Sequence, residues 1–137
     1  MRKKNLVFAI IIMMVMCMTW ATTVDPVSQP GENFELLNDK HGFVVGGMKG
    51  VKYKEYEVQL KPGAKIFVYT DGVAEATDAN NELFGTDRMI EALNKNPEAK
   101  PEEVLENIDS AVADFVKDAE QFDDMTMLCL EYHPDKQ

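Results

Sequence analysis

Two short acidic stretches carry the chemistry this sequence offers. Asp71-Gly72 ends a run of β-favouring residues, Ile66 to Tyr69, and Asp123-Asp124 stands directly before the apolar run Met125 to Tyr132. A carboxylate at a strand end is fixed by the sheet while the loop beside it stays open to water, which suits a hard cation such as Mg²⁺ or Mn²⁺. Neighbouring antiparallel strands set the end of one beside the start of the other, so the two acidic stretches would face a common ion. The spacing alone is equally ordinary turn chemistry, because Asp-Gly and acid pairs are common where strands end. Histidine and cysteine offer less. His41 and His133 fall in turn and tail contexts outside any ligand pattern, and Cys129 lies in an apolar run as a core residue.

The elements that must hold these acids can be read from periodicity. The central strand, Ile66 to Thr70, follows the turn Pro62-Gly63 and reads as buried on both faces. Tyr53 to Lys61 alternates, with Tyr56, Val58 and Leu60 opposite Glu55, Glu57 and Gln59. That pattern predicts a half-exposed strand forming an antiparallel hairpin with the central one. Asn33 to Leu37 is a further short strand, and Gly42 to Gly47 an apolar strand or strand-like loop. Thr77 to Gly85 reads as a polar loop whose Leu83-Phe84 pair tucks under the domain. Thr86 is the expected cap of a short helix that buries Met89, Ile90 and Leu93. Pro101 suits a first helical position, Glu102 and Glu103 suit the positive end of a helix dipole, and Val104, Ile108, Val112 and Phe115 mark the apolar stripe that follows. Strands, two helices and a last strand make an α+β pattern in one domain.

Charge and the amino terminus bound the class. The chain has 137 residues and a formal net charge of −10, with every acid beyond residue 22. That balance argues against nucleic acid or an anionic membrane surface as partner. Met1 to Asn5 is a basic lead, and Leu6 to Ala21 is apolar but for Thr19. As a helix this run would reach about 24 Å, short of the ~30 Å hydrocarbon core. Residues 1–21 therefore read first as a cleaved signal peptide and second as an uncleaved membrane anchor, residues 22–32 as a linker, and 33–137 as the domain. The leader predicts membrane targeting or export. A misassigned start would instead leave the domain cytoplasmic.

The quoted residues also resemble a family. Leu60-Lys-Pro-Gly-Ala-Lys-Ile-Phe-Val-Tyr-Thr-Asp-Gly-Val-Ala-Glu-Ala-Thr, then Glu82-Leu-Phe-Gly, then Phe122-Asp-Asp-Met-Thr resemble, in order, the C-terminal half of PPM-type serine/threonine phosphatase domains of the SpoIIE-like and RsbU-like bacterial branch. The likeness runs from about Phe34 to Tyr132. It implies a partial PPM-type α/β-β/α sandwich, with an antiparallel sheet and two C-terminal helices. It also implies a two-metal Mn²⁺ or Mg²⁺ site, whose bound water attacks phosphoserine or phosphothreonine without a covalent enzyme intermediate. By this resemblance Asp71 and Asp123 match metal-binding aspartates, Gly72 the glycine beside the first, and Asp124 a supporting second residue. A phosphorylated protein regulator is the implied partner.

The sequence departs from the family before Asp71, where neither the early aspartate motif nor the Asp-Val-Ser-Gly-type motif occurs. The expectation is a truncated domain, weakly active or inactive alone, because two aspartates hold Mg²⁺ only weakly. Half a sandwich also exposes sheet edges and an apolar face, which favours a homo-oligomer or a missing partner segment. The alternative is a non-catalytic protein-interaction module that keeps the half-fold.

Overall fold

A computed structural model of the chain describes residues 25–37, 49–50, 57–119 and 124–134. Its sheet contains β1 (Pro26–Ser28), β2 (Glu35–Leu36), β3 (Lys65–Tyr69) and β4 (Met127–Glu131), in the order β2-β1-β3-β4. Every described pairing is antiparallel. The helices are α1 (Asp71–Ala74), α2 (Gly85–Leu93) and α3 (Pro101–Val116). The architecture is α+β, as the periodicity predicts.

β3 is buried along its whole length because it has neighbours on both sides and side-chain clusters on both faces. Phe67 and Tyr69 point with Cys129 of β4 into the main core, where Met89 and Leu93 of α2 and Val104, Ile108 and Val112 of α3 meet them. These helix positions recur at three- and four-residue spacing, so one stripe of each helix covers the sheet. Ile66 and Val68 face the other way, into a smaller cluster with Val27 that Leu37 and Leu60 flank. Leu128 shares that second side through its pairing with Val68 and remains 39% exposed.

Three expectations are corrected here. The segment 25–32, read as linker, contains β1, whose Val27 pairs with Ile66. Pro26 opens this strand, a position where its missing N–H is tolerated. Residues 57–61 form no strand, so the hairpin expected with β3 is absent over that part of the segment, and β1 and β4 flank β3 instead. Thr86 lies inside α2 and does not cap it; the flanking residue is Phe84, with no side-chain cap. Of the Leu83-Phe84 pair, Phe84 is buried while Leu83 is exposed. Residues 1–24, including the leader, and residues 53–56 and 42–47 lie outside the described part. Among the described residues no helix is long and apolar enough to cross a membrane.

Long-range polar contacts fasten the periphery. Asn94, just after α2, accepts from the Phe34 N–H through Oδ1 at 2.6 Å and donates from Nδ2 to the Phe34 carbonyl at 3.0 Å. Its amide thus pairs with Phe34 as another strand's backbone would. Gln29 does the same for the 57–61 segment, through Gln59 and Lys61.

Candidate functional site

The β3–β4 register decides what meets at the carboxyl end of β3. Tyr69 pairs with Met127, so the chain leaving β3 runs beside residues 124–126. Asp71 is half-buried in the first turn of α1, with its Oδ1 accepting from the Gly72 N–H at 3.1 Å. Gly72 is packed against the opposite backbone. A Cβ built on it would lie 2.6 Å from the Asp124 carbonyl oxygen and 3.1 Å from the Asp124 carbonyl carbon. The Asp-Gly stretch was expected to turn into a loop; it turns into the short helix α1.

The structure therefore brings Asp71, Gly72 and Asp124 together from distant parts of the chain. Asp123 lies outside the described residues, one position before Asp124. Asp71 and Asp124 offer hard oxygen donors on two segments in backbone contact, which fits one wall of a divalent-cation site. Among the described residues no three Asp, Glu, His or Cys side chains cluster as a metal-binding group.

Thr70 is the residue that sequence reading missed. Its N–H donates to the Thr126 carbonyl at 3.0 Å. Its hydroxyl accepts from the Thr126 N–H at 3.0 Å and donates to the Asp124 carbonyl at 3.3 Å. The available signal was a hydroxyl-bearing, β-branched residue immediately before Asp-Gly, where a strand ends and ladder partners run out.

The titratable groups behind the site are held neutral. Burial, helped by the Asp25 charge, pushes the Tyr69 hydroxyl up to about 12. Burial pushes the Cys129 thiol from 9.0 up to about 11, with Lys65 opposing the rise. Below about pH 9 the thiol is protonated in both folded and unfolded chains. Between about 9 and 11 only the unfolded chain ionises it, so this group's contribution to stability falls as pH rises through that window. With Cys17→Ser removing the other cysteine, Cys129 should react with a thiol reagent near pH 8 about a hundredfold more slowly when folded than in urea. Equal rates would overturn its assignment as a buried, inert thiol.

Two further clusters lie away from this end. Asp78 accepts from the Asn80 and Glu82 N–H groups at 2.8 and 2.9 Å, which closes the loop before α2 and lowers its carboxyl below the ordinary value. Arg88 stacks over Phe115, 4.6 Å from the ring centroid, and donates to the Leu83 carbonyl. The first arrangement closes the loop on itself and the second ties loop to helix.

Comparison with known proteins agrees with this geometry. The family described as Stage II sporulation protein E (SpoIIE) matches residues 11–133. Protein IcfG of Synechocystis sp. is 34% identical over 89 residues, covering 65% of this chain and 14% of that protein. Among solved structures, the SiaA-PP2C domain of Pseudomonas aeruginosa superposes with a TM-score of 0.62 at 22% identity, over 80% of this chain and 43% of that one. The phosphatase domain of SpoIIE from Bacillus subtilis gives 0.60 at 16% identity, over 84% and 49%. The chain thus spans about half of each of those structures and a small part of its curated relative.

Proposed function

The chain belongs to the SpoIIE family of PPM-type phosphatase domains, and on that premise we propose that it serves metal-dependent hydrolysis of phosphoserine or phosphothreonine in a protein regulator. The observation that carries this reading is the packing of Gly72 against Asp124, which joins the two acid-bearing segments at one end of the sheet. Asp71 and Asp123 are the residues that would hold Mn²⁺ or Mg²⁺, with Asp124 in support. Gly72 lets the two backbones approach closely enough for both carboxylates to serve one site. A divalent ion bound there would supply an activated water and neutralise charge on the phosphoryl oxygens. The Bacillus subtilis neighbour was presoaked with manganese, which makes Mn²⁺ the first ion to try. The remaining ligands are assigned to polypeptide beyond the described residues.

Calorimetric titration of the chain with Mn²⁺ tests the reading. Binding is expected to weaken at least about tenfold in Asp71→Asn and in Asp123→Asn, as removal of a charged ligand should. Whatever weak hydrolysis of a phosphothreonine peptide the chain alone supports should be lost with it. Equal Mn²⁺ binding by the wild type and both variants would sink the assignment. The second reading is a non-catalytic interaction module on the same fold. Tight, metal-independent binding of a phosphoprotein regulator, unchanged in Asp71→Asn, would select it.

A further inference from the structure

Thr70, the residue after β3, stands where the backbone has two partners to serve. As the last residue alongside β4 it should exchange two backbone hydrogen bonds with Thr126, because directly opposed residues of a hydrogen-bonded antiparallel pair give and take one each. As the residue before α1 its carbonyl is needed by the helix, and it accepts from the Val73 N–H at 3.1 Å. Only half of the expected exchange is therefore made by backbone, from the Thr70 N–H to the Thr126 carbonyl. The other half is made by the side chain. The Thr126 N–H donates to the Thr70 hydroxyl at 3.0 Å, in place of the diverted carbonyl.

The position of Thr70 makes this choice visible. It is the residue flanking the start of α1, with extended backbone at φ −88° and ψ 159°, where a threonine hydroxyl ordinarily accepts from an N–H of the first helical turn. No such capping bond forms. The hydroxyl is turned across to the other segment, where it also donates to the Asp124 carbonyl. A hydroxyl has one donor and two acceptor sites, so a single oxygen can take the amide and give to the carbonyl at once. Valine has the same shape and can do neither.

We propose that Thr70 is a positioning residue: its hydroxyl stands in for its own carbonyl and fastens the 124–126 segment beside Asp71-Gly72 while the chain turns away from the sheet. The bridge joins residue 70, adjoining Asp71, to residues 124 and 126, and so fixes the separation of the two acidic stretches. Its consequence for a bound cation rests on the phosphatase reading above; the bridge itself does not.

Amide hydrogen exchange and Mn²⁺ titration on the full chain separate the two. In Thr70→Val the Thr126 amide is expected to exchange about tenfold faster, the size expected for one lost hydrogen bond. The Tyr132 amide, which donates to the Ala64 carbonyl at 2.8 Å at the far end of the same strand pair, should keep its protection. Thr70→Ser should restore Thr126. Mn²⁺ affinity should fall about tenfold in Thr70→Val and recover in Thr70→Ser. Unchanged Thr126 exchange in Thr70→Val overturns the proposal, and so does a faster Thr126 amide with unaltered Mn²⁺ affinity. If the wild type takes up no Mn²⁺, the phosphatase reading fails and exchange at Thr126 alone decides the bridge. Should Thr70→Val not fold, Thr70→Ala removes the hydroxyl without the added methyl group. Loss of Tyr132 protection in both variants would make Thr70 a general stability element and refute positioning.

Discussion

Gly72→Ala should destabilise the fold by about 1–3 kcal/mol, against the usual direction of a glycine-to-alanine change in a helix. Inside a helix that substitution ordinarily gains up to about 1 kcal/mol, because alanine loses less backbone freedom on folding. Here the new methyl would sit 2.6 Å from the Asp124 carbonyl oxygen, and that atom is backbone, not the movable end of a side chain. Relief requires the 124–126 segment to retreat from β3. The same segment is tied to Thr70 by three hydrogen bonds, so retreat strains or breaks contacts worth about 1 kcal/mol each. The clash therefore outweighs the propensity gain. Urea unfolding of the wild type and variant measures the difference directly. Mn²⁺ affinity should fall with it, because the separation of the acids changes. A variant as stable as the wild type or more so would mean that Gly72 does not touch Asp124 in solution.

The same contact explains what was legible in the sequence. β3 was readable because burial on both faces leaves an unbroken apolar run, and α3 was readable because Pro101, two early glutamates and a regular stripe all agree. β1 was not. Its three residues include Pro26 and lie among further turn-forming residues, and only the pairing of Val27 with Ile66 makes them a strand. The alternation of residues 53–61 misled in the opposite way over its described part, 57–61. Period two signals one buried face, but the described residues 57–60 are exposed or half-exposed, with Val58 at 47%, and pair with no strand.

For the site, residue types told more than spacing. Asp71, Asp123 and Asp124 could be named as candidates because carboxylates beside strand ends suit a hard cation and because their motifs resemble a family's metal-binding ones. Their meeting follows from the β3–β4 register, which sets Tyr69 opposite Met127 and which no local pattern encodes. Gly72 looked like turn glycine, yet it has no unusual backbone angle; its need for a bare Cα comes from a neighbour far along the chain. Thr70 was hidden for the same reason. Its hydroxyl has a role only once its carbonyl is taken by α1.

Phe67→Ala should have the largest effect on stability, about 3–5 kcal/mol. Phe67 is fully buried at the middle of β3, with its ring 5.9 Å from that of Tyr69 and Cys129 directly opposite on β4. Removing the ring leaves a cavity bounded by β3, which is held between β1 and β4, and by two helices, so little can collapse into it. A loss of this size approaches the whole stability of a small domain, typically about 5–15 kcal/mol. The melting temperature should drop on the order of 10–20 °C. Leu128→Ala supplies the internal control, because Leu128 lies on the same strand pair but points to the other side and is 39% exposed. Its cost should stay near 1 kcal/mol or below. The contrast tests the alternation of β3 and β4 and not merely their burial. Equal losses at the two positions would mean that the register is displaced by one residue, which would turn every side chain of β4 to the opposite face and separate Asp71 from Asp124.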